Sequence, residues 1–227
     1  MGHGTQLVLL LSLIASPCQV AKAQSSQDQF WPEIDTYIKL DSRMRLMFMA
    51  SRTTDGSTYN SAEFGPNLDI TLKPIRRTPI ESNDSSKRRY LTFGIGYRYL
   101  INLDKPSENR MILELTPRYY LPWGILASDR NRFELRIIRG DLTWRYRNRL
   151  SLERSFNIKF LQFTPYAQGE VYYYSQFGLW NKDSHAFGLI FPLHRRFEIK
   201  PYFQHDNDSR SSTPHVNALG LTINLYF

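Results

Sequence analysis

Arginine at alternate positions carries the most chemical content in this 227-residue chain. Arg145, Arg147 and Arg149 stand against Trp144, Tyr146 and Asn148, and Arg130, Arg132 and Arg136 against Phe133, Leu135 and Ile137. Arg98, Arg110 and Arg118 fall in further segments with the same alternation. A guanidinium is planar, always charged and offers paired donors, so such a row matches carboxylate, sulfate or phosphate in two-point contacts. The chain also supplies acidic partners on the same parity, Glu114, Glu134, Glu153 and Glu170. Two uses follow. Arginines and carboxylates on neighbouring segments can pair into a cross-linked plug, which is the leading, structural expectation. Alternatively, surplus arginine can line an anion-selective path for small acidic solutes or oligosaccharides, as arginine rings do in pores.

Catalytic chemistry is thinly represented. His205 and His215 flank the polar stretch 206–213, which holds Ser209, Ser211 and Ser212, with Asn217 close by. A lipid-modifying enzyme would need one of these rings within hydrogen-bond reach of a serine hydroxyl. No His-x-Ser spacing occurs, so the rings read as interfacial residues at a strand end. His185 and Ser184 are adjacent and so point to opposite faces of a strand. Asp206 and Asp208 offer oxygen ligands without any further mark of a metal site. Gly94-x-Gly96 reads as relief of crowding within a strand rather than a phosphate loop. No catalytic residue, metal or cofactor is expected. Cys18 is the one cysteine, so neither a disulfide nor a thiolate site is expected in a chain processed after Ala23.

The elements that must position these rows are strands, because side chains of period two lie on one face of a strand. Eleven alternating segments can be marked, near 30–40, 43–51, 64–75, 90–100, 110–121, 130–138, 142–154, 161–174, 184–192, 196–205 and 216–227. Each approaches the length of a tilted membrane strand. Single-chain bacterial barrels have even strand numbers. The expectation is therefore an all-β, up-and-down antiparallel transmembrane barrel of about 12 strands (10–12). The missing strand is sought near 60–76 or 121–129. Tight connections are expected at 41–42, 139–141 and 193–194, and longer polar ones at 53–63, 76–89, 101–109, 175–183 and 206–213.

Charged rows facing lipid cost several kcal/mol per residue near the midplane, so they are assigned to the lumen. Parity adds Glu33, Asp35, Lys39, Arg43, Arg45, Asp69, Lys73, Arg196, Glu198 and Lys200 to that face. The tally is about fifteen basic against eight acidic residues, a surplus like that of the whole chain. The other face is apolar, and 14 Tyr, 14 Phe and 4 Trp suit the aromatic girdles of a membrane barrel.

Both ends of the chain bear on location. Residues 7–15 are a short apolar run and Ala21-Lys22-Ala23 precedes Gln24, the pattern of a secretory signal cleaved after Ala23. The expected division is a signal peptide over 1–23 and a barrel over 24–227. The last segment alternates Leu219, Leu221, Ile223, Leu225 and Phe227 with small or polar residues and ends on the aromatic. Such a strand is the kind that barrel-assembly machinery recognises, which places the protein in a Gram-negative outer membrane among its lipids. The net charge is +8, about +7 once Lys22 is removed. Export argues against nucleic acid as the partner of that charge.

Phe30-Trp31-Pro32-Glu33-Ile34-Asp35, the run 129–136, Trp144-Arg145-Tyr146-Arg147-Asn148-Arg149 and Tyr202-Phe203-Gln204-His205 together resemble a family of bacterial outer-membrane barrels catalogued only as a domain of unknown function. The resemblance spans nearly all of residues 24–227. It implies the porin-like fold and the location, and no activity. In plan, though not in motif, the chain is also similar to twelve-stranded channels for acidic oligosaccharides.

Overall fold

The computed structural model describes residues 26–55, 58–75, 82–103, 105–159 and 161–227, so the expected signal peptide lies outside the described residues. Twelve strands follow one another: β1 (Ser26–Lys39), β2 (Met44–Asp55), β3 (Thr58–Pro74), β4 (Arg89–Asn102), β5 (Glu108–Leu121), β6 (Ile125–Ile138), β7 (Asp141–Glu153), β8 (Phe156–Ile158), β9 (Leu161–Tyr174), β10 (Leu179–His194), β11 (Phe197–Asp208) and β12 (His215–Tyr226). Eleven of them form a closed wall, and β8 is a three-residue strand paired only with β9. No described helix is long and apolar enough to cross a membrane, which bears only on helices.

All eleven segments marked from the alternation are wall strands. The argument from parity of strand number does not hold: no further wall strand lies in the described parts of 60–76 or 121–129. With an odd count the first and last strands run the same way. β1 and β12 accordingly pair in parallel, from Ser26↔His215 to Tyr37↔Tyr226, whereas every other neighbour in the wall is antiparallel. Phe227 completes the seam, its N–H donating to the Tyr37 carbonyl (2.8 Å) and its own carbonyl accepting from Lys39 N–H (2.8 Å). Tyr37 and Tyr226 stack with ring centroids 5.1 Å apart. The seam puts Ser26 and Phe227 at opposite rims.

Connections depart from expectation where polar residues continue a strand. Residues 53–63 are mostly strand, β2 and β3 being separated only by residues 56 and 57. In the expected connection 175–183, residues 179–183 likewise belong to β10. The turn at Arg139–Gly140 is as tight as expected. Its φ values of 53° and 91° give two successive left-handed residues, the type I′ geometry whose twist suits a two-residue hairpin.

The two faces are inverted relative to a water-soluble domain. Large apolar side chains such as Phe30, Leu113, Leu150, Phe187 and Leu219 stand on the outside, whereas Arg98, Glu134, Glu170 and Glu198 are buried inside. Two glycines make room for that interior. A Cβ at Gly96 would meet the Asn67 side chain at 2.1 Å, and one at Gly220 would meet the Tyr202 ring at 2.0 Å. Gly220→Ala is expected to cost about 1–3 kcal/mol by overpacking, and Tyr202→Ala in the same chain to recover most of that. Urea unfolding of refolded protein in micelles measures both, and a Gly220→Ala midpoint unchanged from the parent would refute the packing argument.

Candidate functional site: the paired lumen and its crossing segment

The inward row is built by register. Glu134 on β6 lies opposite Arg145 on β7, and Arg147 and Arg149 on β7 lie opposite Tyr172 and Glu170 on β9. Directly opposed residues of an antiparallel pair share a face and are within reach of one another. Glu170 is the hub: it accepts from Arg130 (2.8 Å), from Arg147 in a two-point contact (2.9 and 2.9 Å), from Arg149 (2.7 Å) and from the Tyr172 hydroxyl (2.9 Å). Glu134 takes both Arg145 (2.6 Å) and Arg147 (3.0 Å). Glu108 holds Arg110 (2.6 Å) and Arg136 (2.5 Å), and Glu114 holds Arg132 (2.8 Å). The Tyr172 ring lies 4.7 Å from the Arg147 guanidinium and the Tyr174 ring 5.3 Å from that of Arg145.

All nine candidate arginines therefore face the lumen, and most are engaged by carboxylates. Arg98 and Arg118 are the departures. Arg98 donates to the Gly65, Pro66 and Tyr97 carbonyls, with Glu63 no nearer than 4.0 Å. Arg118 donates to Thr92 and Ser86. The four expected acidic partners are all in the lumen, Glu153 pairing with Lys87 (2.7 Å) rather than with an arginine.

The expected charge surplus of the lumen is not there. Lys39, Arg43, Lys73 and Arg196, assigned inward by parity, are exposed at one rim. Parity cannot tell where a strand leaves the lumen, and at Lys73 the backbone turns left-handed (φ 45°). Four carboxylates that the parity tally left out face inward as well. Glu63 and Glu108 pair with Arg110, Asp84 with Arg45 (2.5 Å), and Asp206 with Lys182 (2.6 Å). The lumen is close to electrically balanced. Asp206 is thereby committed to Lys182, and Asp208 accepts from Asn181 (3.0 Å). Among the described residues no metal-holding group is found.

Residues 82–88, between β3 and β4, cross the lumen mouth at the rim that carries Phe227, and no periodicity announced them. Ser85–Arg88 form a 3-10 turn capped by Asp84, whose side chain accepts from Ser86 N–H. Asp84 reaches Arg45 on β2 (2.5 Å), the buried Ser86 meets Arg118 on β5 (3.4 Å), and Lys87 reaches Glu153 on β7 (2.7 Å). Asn83 donates to the His194 carbonyl of β10 (2.7 Å), and Ser82 lies 3.5 Å from Glu198 on β11. The segment is thus tied to strands on all sides of the ring. Beyond it lies a polar cavity of about 470 Å³, lined among others by Asp35, Arg98, Arg130, Lys200 and Asp206. Among the described residues, Arg98 Nε, Arg130 Nε and Asp35 Oδ1 have no hydrogen-bond partner.

The ties of the crossing segment set its pH range. Burial opposes ionisation of Asp84, but the Arg45, Lys87 and Arg118 charges outweigh it and hold the carboxyl well below its usual value. Burial likewise opposes the charge on Lys87, and Glu153, Glu198 and Asp84 outweigh it, raising the ammonium pKa. A lowered carboxyl pKa stabilises above its unfolded value of about 3.9, and that contribution is lost as pH falls through the folded value. A raised ammonium pKa stabilises below about 10.4, and that contribution is lost as pH rises through the folded value. Both ties hold between about pH 4 and about pH 10. The segment should stay seated across that window and loosen only outside it. Bilayer recordings at stepped pH test this, and conductance appearing near pH 6 would contradict it.

The histidine pair lies on the outer wall. His205 and His215 stack 5.9 Å apart on adjacent strands. Both nitrogens of His205 are used, by Asn217 (2.7 Å) and Asn207 (2.9 Å). The Ser209 hydroxyl donates to the Asn181 carbonyl (3.2 Å), and the Ser211 hydroxyl accepts from Thr213 N–H (3.1 Å). His205 is therefore not placed as the base of a serine nucleophile. Sequence reasoning noted Asn217 beside His215 but missed Asn207, two positions from His205, and did not see that the two asparagines occupy that ring.

A closed β-barrel with an apolar exterior and an ion-paired interior is the architecture of porin-like proteins. Among solved structures the chain is similar to a NanC porin determined in a rhombohedral crystal form, with a TM-score of 0.50 and 10% identity over 85% of this chain and 91% of that one. At that identity the likeness concerns the fold. No family model matches the chain, and no curated protein does.

Proposed function

We propose that this chain is an outer-membrane β-barrel whose lumen is shut at rest, locked by arginine–carboxylate pairing and by the segment 82–88 across one mouth. The carrying observation is that segment, bound to β2, β5, β7, β10 and β11 at once. The near balance of charge in the lumen also favours a cross-linked interior over an anion filter. The outer location is supported by the apolar exterior, which in water would be a large exposed patch, by the apolar run at 7–15 and by the alternation of β12. In this reading the signal is removed after Ala23 and assembly machinery engages β12.

A second reading is a gated path for small acidic solutes. It is favoured by Lys200, which lies in no ion pair among the described residues, and by the Arg98 and Arg130 Nε donors, which have no hydrogen-bond partner among them; all three residues line the cavity. Planar-bilayer recording of refolded protein with a salt gradient separates the two. The resting barrel is expected to be silent. Steady anion-selective steps from the unmodified chain would overturn the shut reading in favour of the path.

A further inference from the structure

Charges outside the lumen are divided unevenly between the rims. At the rim bearing Phe227, β1 ends with Lys39, the turn to β2 carries Arg43, and Lys73 is the last residue but one of β3. Arg154 and Lys159 stand on the connection from β7 to β9, and Arg195 and Arg196 make the β10–β11 turn. All seven are exposed, and among the described residues none lies in an ion pair. The exposed acid described at this rim is Asp41, whose carboxylate is taken up by the Arg43 and Met44 N–H groups (2.5 and 2.7 Å). The opposite rim is mixed. There Arg52, Lys105, Arg139 and Arg210 are offset by exposed Asp28, Asp55 and Asp141.

Apolar side chains are interleaved with the bases. Leu40, Ile158, Leu193 and Phe227 are more than half exposed at this rim, and Trp123, at the tip of the β5–β6 turn, is 79% exposed. Apolar and aromatic groups at a bilayer boundary enter the acyl region, and lysine and arginine extend their charges to the headgroups.

Resting on the membrane reading above, we propose that this rim is a docking surface for the phosphates of anionic phospholipids in the leaflet it meets. The bases lie around the perimeter and do not converge on a pocket. A small soluble anion would touch one of them, whereas a planar anionic layer touches all of them together. The apolar neighbours fit the same layer and would have no role toward a free phosphate.

The test uses single-tryptophan chains refolded into phosphatidylcholine vesicles. One keeps Trp123 at this rim, and the other keeps Trp180, near the start of β10 at the opposite rim. Quenching by brominated phosphatidylglycerol is compared with quenching by brominated phosphatidylcholine. Trp123 should favour the anionic lipid about fivefold or more, the size expected of even one cation held at an anionic surface, and Trp180 should show a ratio near one. High salt, and the combined K39Q, R43Q, K73Q, R154Q, K159Q, R195Q and R196Q variant, should bring Trp123 to the same ratio. If that variant fails to fold, the salt titration of the parent chain decides alone. Equal preference at both rims, or a Trp123 preference indifferent to salt, overturns the proposal. So does competition by lipopolysaccharide with no preference for phosphatidylglycerol. Absence of quenching by either lipid at both reporters would sink the membrane reading itself, a different failure.

Discussion

Glu170→Gln is expected to lower the unfolding free energy by about 3–5 kcal/mol, the range found when one partner of a buried charge cluster is removed. The side chain is 2% exposed and engages Arg130, Arg147 and Arg149. Glutamine keeps the volume and removes the charge, so three guanidiniums on adjoining strands are left facing one another. Glu134 can take over part of Arg147, but among the described residues no other carboxylate lies within 4 Å of Arg149. Glu114→Gln is the contrast. That carboxylate is 20% exposed and has one close partner, Arg132, with Arg130 at 4.0 Å, so a loss nearer about 1 kcal/mol is expected. Denaturant midpoints of the two variants in micelles decide the matter. Equal and small losses would mean that water in the lumen substitutes for the pairing.

The other large effect is electrical. Asp84→Ala combined with Lys87→Ala removes the ties to Arg45 and Glu153 and leaves the wall strands untouched. The parent should be silent in a planar bilayer, and the double variant should pass ions in discrete steps. Restoring Lys87 alone should bring back partial closure through Glu153. Two silent proteins that fold alike would show that the ion-paired wall, and not the crossing segment, closes the lumen. The second reading would then lose its gate.

How much of this was legible in the residues differs by level. Alternation located every wall strand, because a membrane wall requires a wet face and an apolar face at period two. It also gave the correct face for Arg145, Arg147 and Arg149. It failed at strand ends, where both faces meet water and parity carries no information. Lys39, Arg43, Lys73 and Arg196 were misplaced for that reason, and the strand portions of 53–63 and 179–183 were hidden by polar composition. The segment 82–88 has no periodicity, and its importance rests on tertiary partners 32 to 116 positions away. The expected 10–12 strands cover the eleven wall strands and the short β8; what fails is the rule of even number, which holds for closed antiparallel rings and not for a ring that closes in parallel.

That parallel seam limits how the chain can be rearranged. In an even barrel the ends are neighbours, and a short peptide can join them while new ends are cut elsewhere. Here, joining Phe227 to Ser26 would require a linker to span a twelve-residue strand, about 40 Å along its axis. Circular permutation by a short linker is therefore closed to this fold. An epitope placed before Ser26 and another after Phe227 would be reached by antibodies from opposite sides of any bilayer the barrel occupies.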